Sequence, residues 1–259
     1  MPELPEVETL CRQLRTKIIG LEITGTFILD GKIEMPGNLK GQRVISVNRR
    51  GKRIVIGMDN GKSLEIHLRM TGRLIWQETR AVPPPHSRFV FDLSSNQVML
   101  VDPRRFATLS LREEAIKQDE VVDALAPGCA EFLIAEGRNR RRPLKSFLMD
   151  QQIIEGIGNI YACEILHRVG LSPWRETASL SPDDWREMEK AMGTVLSKAI
   201  DCRGTSISDW RDLFGNKGDY QNELRVYSRE GVTCLRCGGI IHRKRLLGRG
   251  TWFCPGCQA

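Results

Sequence analysis

A methionine, a proline and a glutamate, Met1-Pro2-Glu3, open the chain, and two Cys-x-x-Cys pairs close it. Methionine before a small residue is the arrangement from which the initiator is removed. Removal here would leave Pro2 with a free secondary amine. An α-amine titrates near ~8, against ~10.4 for a lysine, so a usable fraction is unprotonated and nucleophilic at neutral pH. Glu3, beside it, is a carboxylate placed to move protons during whatever that amine does. Alone, the same three residues also read as an unstructured terminus, and the rest of the chain decides between the two.

The four terminal cysteines, Cys234, Cys237, Cys254 and Cys257, have the spacing C-x2-C-x16-C-x2-C. Two such knuckles set four thiolates tetrahedrally around one Zn2+, with the residues between them forming a hairpin; a metal-free redox pair is the other reading. From Val226 to the end there are 34 residues, too few to build a core alone, so the ion is expected to be structural. The hairpin carries Arg243, Lys244, Arg245 and Arg249, which suits a grip on nucleic acid. His242 reads as surface, because four cysteines already fill the site. Cys11, Cys129, Cys163 and Cys202 are scattered, as reduced buried thiols would be.

Two further groupings invite chemistry. Gly156-Ile157-Gly158-Asn159-Ile160-Tyr161 opens a helix after a glycine-permitted tight turn, which would point backbone amides at a phosphate, with Asn159 as cap. A corner that merely packs on the core fits the same residues. Asp102-Pro103-Arg104-Arg105-Phe106 follows a strand. An arginine beside an exposed phenylalanine can fill a gap in stacked bases. Spacing alone favours the plainer reading, with Phe106 in the core and Asp102 paired with an arginine.

The elements that must position these residues change character along the chain. Val7, Leu10, Cys11, Leu14 and Ile18 form one stripe of a helix over Pro5–Ile18. Short β-branched runs follow at 44–47, 53–56 and 64–68, with Asp59-Asn60-Gly61 as a hairpin turn, and a second hairpin over 87–93 and 97–102 turns around Ser95-Asn96. Strands this short and regular suggest a sandwich. Glu113–Asp123 reads as helical and Gly137–Pro143 as a basic linker. Helices are expected at Leu144–Asp150, Asn159–Val169 and Pro182–Ile200, the last with Ser181 as N-cap.

The chain has 259 residues, 41% hydrophobic and 27% charged, and a formal charge of +7, with basic clusters at 49–53, 138–142 and 243–245. That composition suits a folded protein with a polyanionic partner. No apolar run reaches the ~20 residues of a membrane span. Glu3, Glu6 and Glu8 stand where a signal peptide would be apolar, so the expected compartment is the cytoplasm.

Taken in order, Pro2 to Thr9, the Lys52 strand, His67-Leu68-Arg69-Met70-Thr71-Gly72, Asp102 to Phe106, Gly156 to Ala162 and the terminal cysteines resemble the formamidopyrimidine-DNA glycosylase/endonuclease VIII family. Leu4 points to the glycosylase branch, since the sister enzymes begin Pro-Glu-Gly-Pro-Glu. The resemblance implies an α+β protein: an N-terminal β-sandwich with a leading helix over 1–118, a connecting segment at 119–142, a helix–two-turns–helix domain over 143–225, and a zinc finger at 226–259. Double-stranded DNA carrying oxidised bases or abasic sites would lie in the cleft between the domains, bound by a monomer at the bacterial nucleoid. Pro2 is implied as nucleophile and Glu3 as acid/base. Lys52, Asn159 and Arg249 would hold phosphates. Met70, Arg104 and Phe106 would fill the space left by the flipped base, with Arg104 facing the orphaned cytosine and His67 also on the DNA. One structural Zn2+ would sit on the four cysteines. The implied activity is removal of oxidised purines through a proline iminium, followed by β- and δ-elimination. Gly215–Glu223 resembles the loop that closes over the flipped base.

Two positions depart from the family pattern. Glu155 puts a carboxylate just before the glycine turn, and Leu125-Ala126-Pro127-Gly128-Cys129 differs from the usual approach to the linker. Other readings are an endonuclease VIII-like enzyme for oxidised pyrimidines, and a non-catalytic zinc-finger protein that binds damaged DNA.

Overall fold

The computed structural model describes residues 1–33, 38–112 and 121–259. Two compact units divide the chain, one holding Met1–Lys117 with Cys202–Gln221, the other Gln118–Asp201 with Asn222–Ala259.

The first unit begins with helix α1, Leu4–Ile18. A reciprocal capping box starts it: the Glu3 carboxylate accepts the Glu6 amide, and the Glu3 amide donates to Glu6 Oε2 at 2.8 Å. The strands are β1 (Ile23–Ile28), β2 (Val44–Arg50), β3 (Arg53–Met58), β4 (Ser63–His67), β5 (Arg73–Gln77), β6 (Ser87–Leu93), β7 (Asn96–Val101) and β8 (Thr108–Arg112). They form two antiparallel four-stranded sheets, ordered β1-β6-β7-β5 and β2-β3-β4-β8. Alternate residues such as Ile54, Ile56, Leu64, Ile66, Phe89, Phe91, Val98 and Leu100 join Leu10 and Leu14 of α1 in one core. The β6–β7 turn is Ser94-Ser95, one residue earlier than its sequence suggests, with Ser94 left-handed at φ 57°.

Cys202–Gln221 follows the last helix in sequence, where a helical domain over 143–225 is expected, yet it packs with the first unit. Trp210 and Leu213 enter the sandwich core. Gln13 of α1 donates to Asp212 Oδ2 at 2.9 Å and accepts the Leu213 amide at 2.9 Å, and Glu6 Oε1 accepts the Thr205 amide at 2.7 Å. These partners are about 200 residues apart in sequence, which is why periodicity cannot reveal them.

The second unit contains β9 (Val122–Asp123), α2 (Cys129–Gly137), α3 (Leu144–Leu148), β10 (Ile154–Glu155), α4 (Asn159–Val169), α5 (Pro182–Asp201), β11 (His242–Leu246) and β12 (Arg249–Phe253). The helix expected over Glu113–Asp123 lies outside the described residues through 120, and its last two form β9, paired in parallel with β10. The unusual approach to α2 closes through its own partner: Glu189 of α5 accepts the amides of Gly128 at 2.7 Å and Ala130 at 3.0 Å, so a carboxylate caps α2 from another helix. The basic stretch after α2 is not a free linker. Arg142 pairs with Asp150 at 2.8 Å, and its carbonyl accepts the Thr177 amide at 3.1 Å. Among the described residues, no helix is long and apolar enough to cross a membrane.

Candidate active-site and nucleic-acid-binding residues

Pro2 and Glu3 are buried, Glu3 with 3% of its surface exposed, so the terminus is a built structure. They sit at the N-terminal, positive end of the α1 dipole. Glu6 ties that end to Thr205 as well as to Glu3. Glu8 extends the fastening: it pairs with Arg49 near the end of β2 at 3.3 Å and with Arg15 at 3.2 Å. The turn that follows β2 is Gly51-Lys52, with Gly51 at φ 51°, and Lys52 is 7% exposed. Lys52 is therefore not the solvated lysine that its basic cluster suggests. Burial, with Glu8 adding to it, pushes the Cys11 thiol up to about 12 and leaves it inert.

His67 ends β4, and its Nδ1 accepts the Arg69 amide at 3.0 Å, which leaves Nε2–H as donor. Burial first, then the positive charge of Arg69, Arg53 and Lys52, lowers its pKa to about 4, so at neutral pH it donates as a neutral imidazole. Beyond it the chain folds back sharply, the Gly72 amide donating to the Leu68 carbonyl at 3.0 Å. A side chain at Gly72 would collide with that carbonyl oxygen. The turn presents Met70 with 49% of its surface exposed.

Asp102, with 0% exposed, organises this turn and the next one together. Its carboxylate accepts the Thr71 hydroxyl at 2.5 Å and the amides of Phe106 at 2.7 Å, Ala107 at 2.7 Å and Arg104 at 3.2 Å. Burial pushes its pKa up, but these four bonds outweigh it and hold the group ionised below the usual carboxylate range. Phe106 is 48% exposed, against the plainer sequence reading that placed it in the core. The Arg104 guanidinium lies over its ring at 4.8 Å. The other half of that reading stands, since Asp102 also meets Arg88 at 3.6 Å.

In the second unit the glycine turn differs from expectation. Gly158, not Asn159, is the N-cap of α4, and the Gly156 amide donates to Gln151 Oε1 at 3.1 Å. Asn159 instead reaches the zinc hairpin, donating to the Gly250 carbonyl at 3.1 Å. Lys145 of α3, 1% exposed, donates to Asn159 Oδ1 at 2.7 Å, Thr251 Oγ1 at 2.7 Å and the Gly250 carbonyl at 3.0 Å. Asn159 and the strand that Arg249 begins are thus joined through a buried ammonium. Sequence reading missed Lys145 because a lysine within Leu-Lys-Ser-Phe-Leu reads as the solvent side of a helix. Arg249 itself is exposed, next to the tight turn Leu247-Gly248, whose φ values are 47° and 78°.

The Sγ atoms of Cys234, Cys237, Cys254 and Cys257 all lie within 4.8 Å of one another. Zn–S bonds of ~2.3 Å in a tetrahedron require sulfurs ~3.8 Å apart, and Cys234–Cys257 at 3.8 Å and Cys237–Cys254 at 3.4 Å fit. The four hold one structural Zn2+. The Arg236 amide and His167 Nε2, each 3.4 Å from Cys234 Sγ, support that thiolate. His167 is on α4, and its role has no signal in the cysteine spacing, whereas His242 is exposed as expected.

The first unit buries Pro2 and Glu3 at the start of α1, and the second carries a four-cysteine ribbon with exposed arginines and lysine. Comparison with known proteins narrows this. Residues 1–109 match the formamidopyrimidine-DNA glycosylase N-terminal domain, 121–210 the H2TH domain of the same enzyme, and 231–259 the zinc finger found in FPG and IleRS. The formamidopyrimidine-DNA glycosylases of Pelotomaculum thermopropionicum and Heliobacterium modesticaldum are 38% and 41% identical, covering all of this chain and 99% and 100% of theirs. The MutM (Fpg) protein of Thermus thermophilus superposes with a TM-score of 0.89 at 34% identity, over 99% of this chain and 98% of that one. A mutant Lactococcus lactis FPG in complex with DNA containing Fapy-dG gives 0.88 at 28%, over 99% of both chains. This chain belongs to the formamidopyrimidine-DNA glycosylase family.

Proposed function

We propose that the chain excises oxidised purines from duplex DNA and then cuts the strand, with Pro2 as nucleophile. It is a DNA glycosylase of base excision repair with lyase activity at abasic sites. The observation that carries the assignment of Pro2 is the buried Pro2-Glu3 terminus at the start of α1. Once Met1 is removed, the Pro2 nitrogen attacks C1′ and the base departs with the bonding electrons, taking a proton. Glu3 is the group within one residue that can carry such protons. The proline adduct is necessarily a charged iminium, which acidifies C2′. Loss of that proton expels the 3′ phosphate, and a second elimination expels the 5′ phosphate.

The base must first leave the stack, which costs a few kcal/mol and is offset by inserted side chains and phosphate contacts. Met70, Arg104 and Phe106 take the vacated space in this reading, and Lys52, His67, Asn159 and Arg249 hold the backbone. The Lactococcus relative in complex with DNA containing Fapy-dG supports the substrate class. The protein works as a monomer in the cytoplasm, at the nucleoid. Borohydride trapping on duplexes bearing 8-oxoguanine, a formamidopyrimidine or an oxidised pyrimidine tests the reading. Faster adduct formation on the pyrimidine would replace it with an endonuclease VIII-like one.

Phosphate contacts and base contacts separate in two measurements. Phosphate contacts fix register without reading sequence, and each neutralised phosphate releases counterions. Lys52→Ala and Arg249→Ala should weaken binding whatever base lies opposite the lesion, each flattening the log–log salt dependence by roughly one unit. An unchanged slope removes that residue from the phosphate set. Arg104→Ala should instead erode the preference for cytosine opposite the lesion by about 1–3 kcal/mol, as loss of a bidentate base contact does. Excision measured opposite all four bases decides it, and equal discrimination in the mutant returns Arg104 to a structural role.

A further inference from the structure

Arg105 stands between the two exposed side chains of the Asp102–Phe106 turn, and its backbone is left-handed at φ 58°. A non-glycine residue stays there only when its surroundings hold it. The Arg105 amide donates to the Asp102 carbonyl at 3.2 Å, and its side chain is held by Asp30, which comes just after β1, 75 residues earlier in the chain. Asp30 accepts Arg105 Nε at 2.9 Å, and a second guanidinium nitrogen of Arg105 binds the other carboxylate oxygen, making a bidentate fork. Arg88, 2% exposed, donates to the same carboxylate at 2.6 Å and to the Ala107 carbonyl at 2.5 Å. The Lys32 amide completes the set at 3.1 Å. The Arg105 bonds first, then those from Lys32 and Arg88, hold the Asp30 carboxyl well below the usual carboxylate range, so this arrangement does not titrate in working conditions.

Arg88 is shared between two buried carboxylates, Asp30 at 2.6 Å and Asp102 at 3.6 Å, while the Arg105 side chain is 50% exposed beside an open cavity of about 260 Å³ lined by Leu29, Asp30, His86 and Ser87. Arg105 is thus the half-exposed end of this network, and truncating it leaves the buried Arg88–Asp30 and Arg88–Asp102 pairs in place. The fork anchors the side chain of the residue that lies between Arg104 and Phe106. Arg104 and Phe106 leave the turn on the same side and stack at 4.8 Å.

We propose that Asp30, acting through Arg105, is a positioning residue that presets the Arg104–Phe106 wedge before DNA arrives. The proposal rests on the wedge reading given above. It predicts that breaking the fork damages recognition of the opposite base while leaving the chemistry alone.

The test uses the full-length, zinc-loaded protein in four variants: Asp30→Asn, Arg105→Ala, Arg105→Lys and Arg104→Ala. The readouts are the ratio of excision opposite cytosine to excision opposite adenine, and the fluorescence of 2-aminopurine placed opposite an abasic site. Borohydride trapping on a single-stranded abasic oligonucleotide, which has no partner strand to displace, serves as control. Arg105→Ala and Asp30→Asn should each lower the discrimination ratio by about tenfold, since small misplacements of a recognition group have effects of that size. Both should also slow the fluorescence change. Arg105→Lys, which keeps the charge, should recover part of both. Single-strand trapping by the Asp30 and Arg105 variants should stay at the wild-type rate. If Asp30→Asn fails to fold, because the buried Arg88 loses its nearer carboxylate, Arg105→Ala decides alone, since its side chain is half exposed.

Wild-type discrimination and fluorescence in Arg105→Ala, with Arg104→Ala defective, overturn the proposal and leave the wedge reading intact. A loss in Arg105→Ala shared equally by single-strand trapping also overturns it, in favour of a purely structural pair. If Arg104→Ala changes neither readout, the wedge reading falls and the proposal falls with it.

Discussion

Chain that retains Met1 should form no borohydride adduct, whereas processed chain should be trapped on lesion-bearing DNA with the adduct on Pro2. Retained methionine makes the Pro2 nitrogen an amide, whose electron pair is delocalised into the carbonyl and is not nucleophilic. Glu3→Gln should retain DNA binding yet lose base excision by about 10²–10⁴-fold, the usual contribution of a positioned acid or base. That corresponds to about 3–5 kcal/mol of barrier. The change is nearly isosteric, and an amide oxygen can still accept the Glu6 amide, so α1 should keep its cap. Pro2→Gly should keep partial activity, because a primary amine also forms an imine but not an obligatorily charged one. Tryptic mass spectrometry of the trapped complex locates the bond. An adduct on Lys52 would overturn the assignment, and it is the sharpest competitor as a buried amine in the turn after β2.

The sequence made readable the elements that carry the candidate site, where they depend on local rules. The stripe from Val7 to Ile18 defines α1, Asn60-Gly61 defines a hairpin, and the cysteine spacing defines the zinc knuckles. Each is settled within about 20 residues. What escaped depends on partners far away in the chain. Strands β1 and β5 lack clean alternation in sequence, because strand pairing across the sheet, not local pattern, places them. Helix α2 is apolar nearly all round and shows no helical period. Phe106 looked like core because a phenylalanine after a strand generally is. It is held outward by Asp102, whose four bonds join two turns about 30 residues apart. The amides expected at the glycine turn were assigned from a general motif, and Gln151 takes one of them. Lys145 was overlooked for the same reason that it matters: nothing local compensates a buried ammonium, and its acceptors come from α4 and β12.

Cys254→Ser should remove the metal and, with it, nearly all affinity for duplex DNA. Chelator-free wild-type protein should contain about one zinc per chain, and the variant about none. Cys254 is fully buried, and its sulfur belongs to a small cluster with Cys163, Val226, Cys234 and Ile241. A two-stranded ribbon such as β11–β12 is marginal without such support, while zinc binding by thiolate sites of this size is worth about 10–16 kcal/mol. Losing the ribbon would displace Arg249 and the Arg243–Arg245 run, but the damage should extend further. Gly250 and Thr251 both accept hydrogen bonds from the Lys145 ammonium, and Gly250 also holds Asn159. Once they move, a deeply buried charge loses these partners, so the Asn159 anchor should fail together with Arg249. The sandwich of the first unit has its own core and should keep its far-UV signal and its thermal transition. Cys202→Ser, which changes a cysteine outside the cluster, should keep both zinc and binding. Duplex affinity that survives stoichiometric metal loss would mean that the ribbon is not the grip on DNA, and that Lys145 and Asn159 hold their geometry without it.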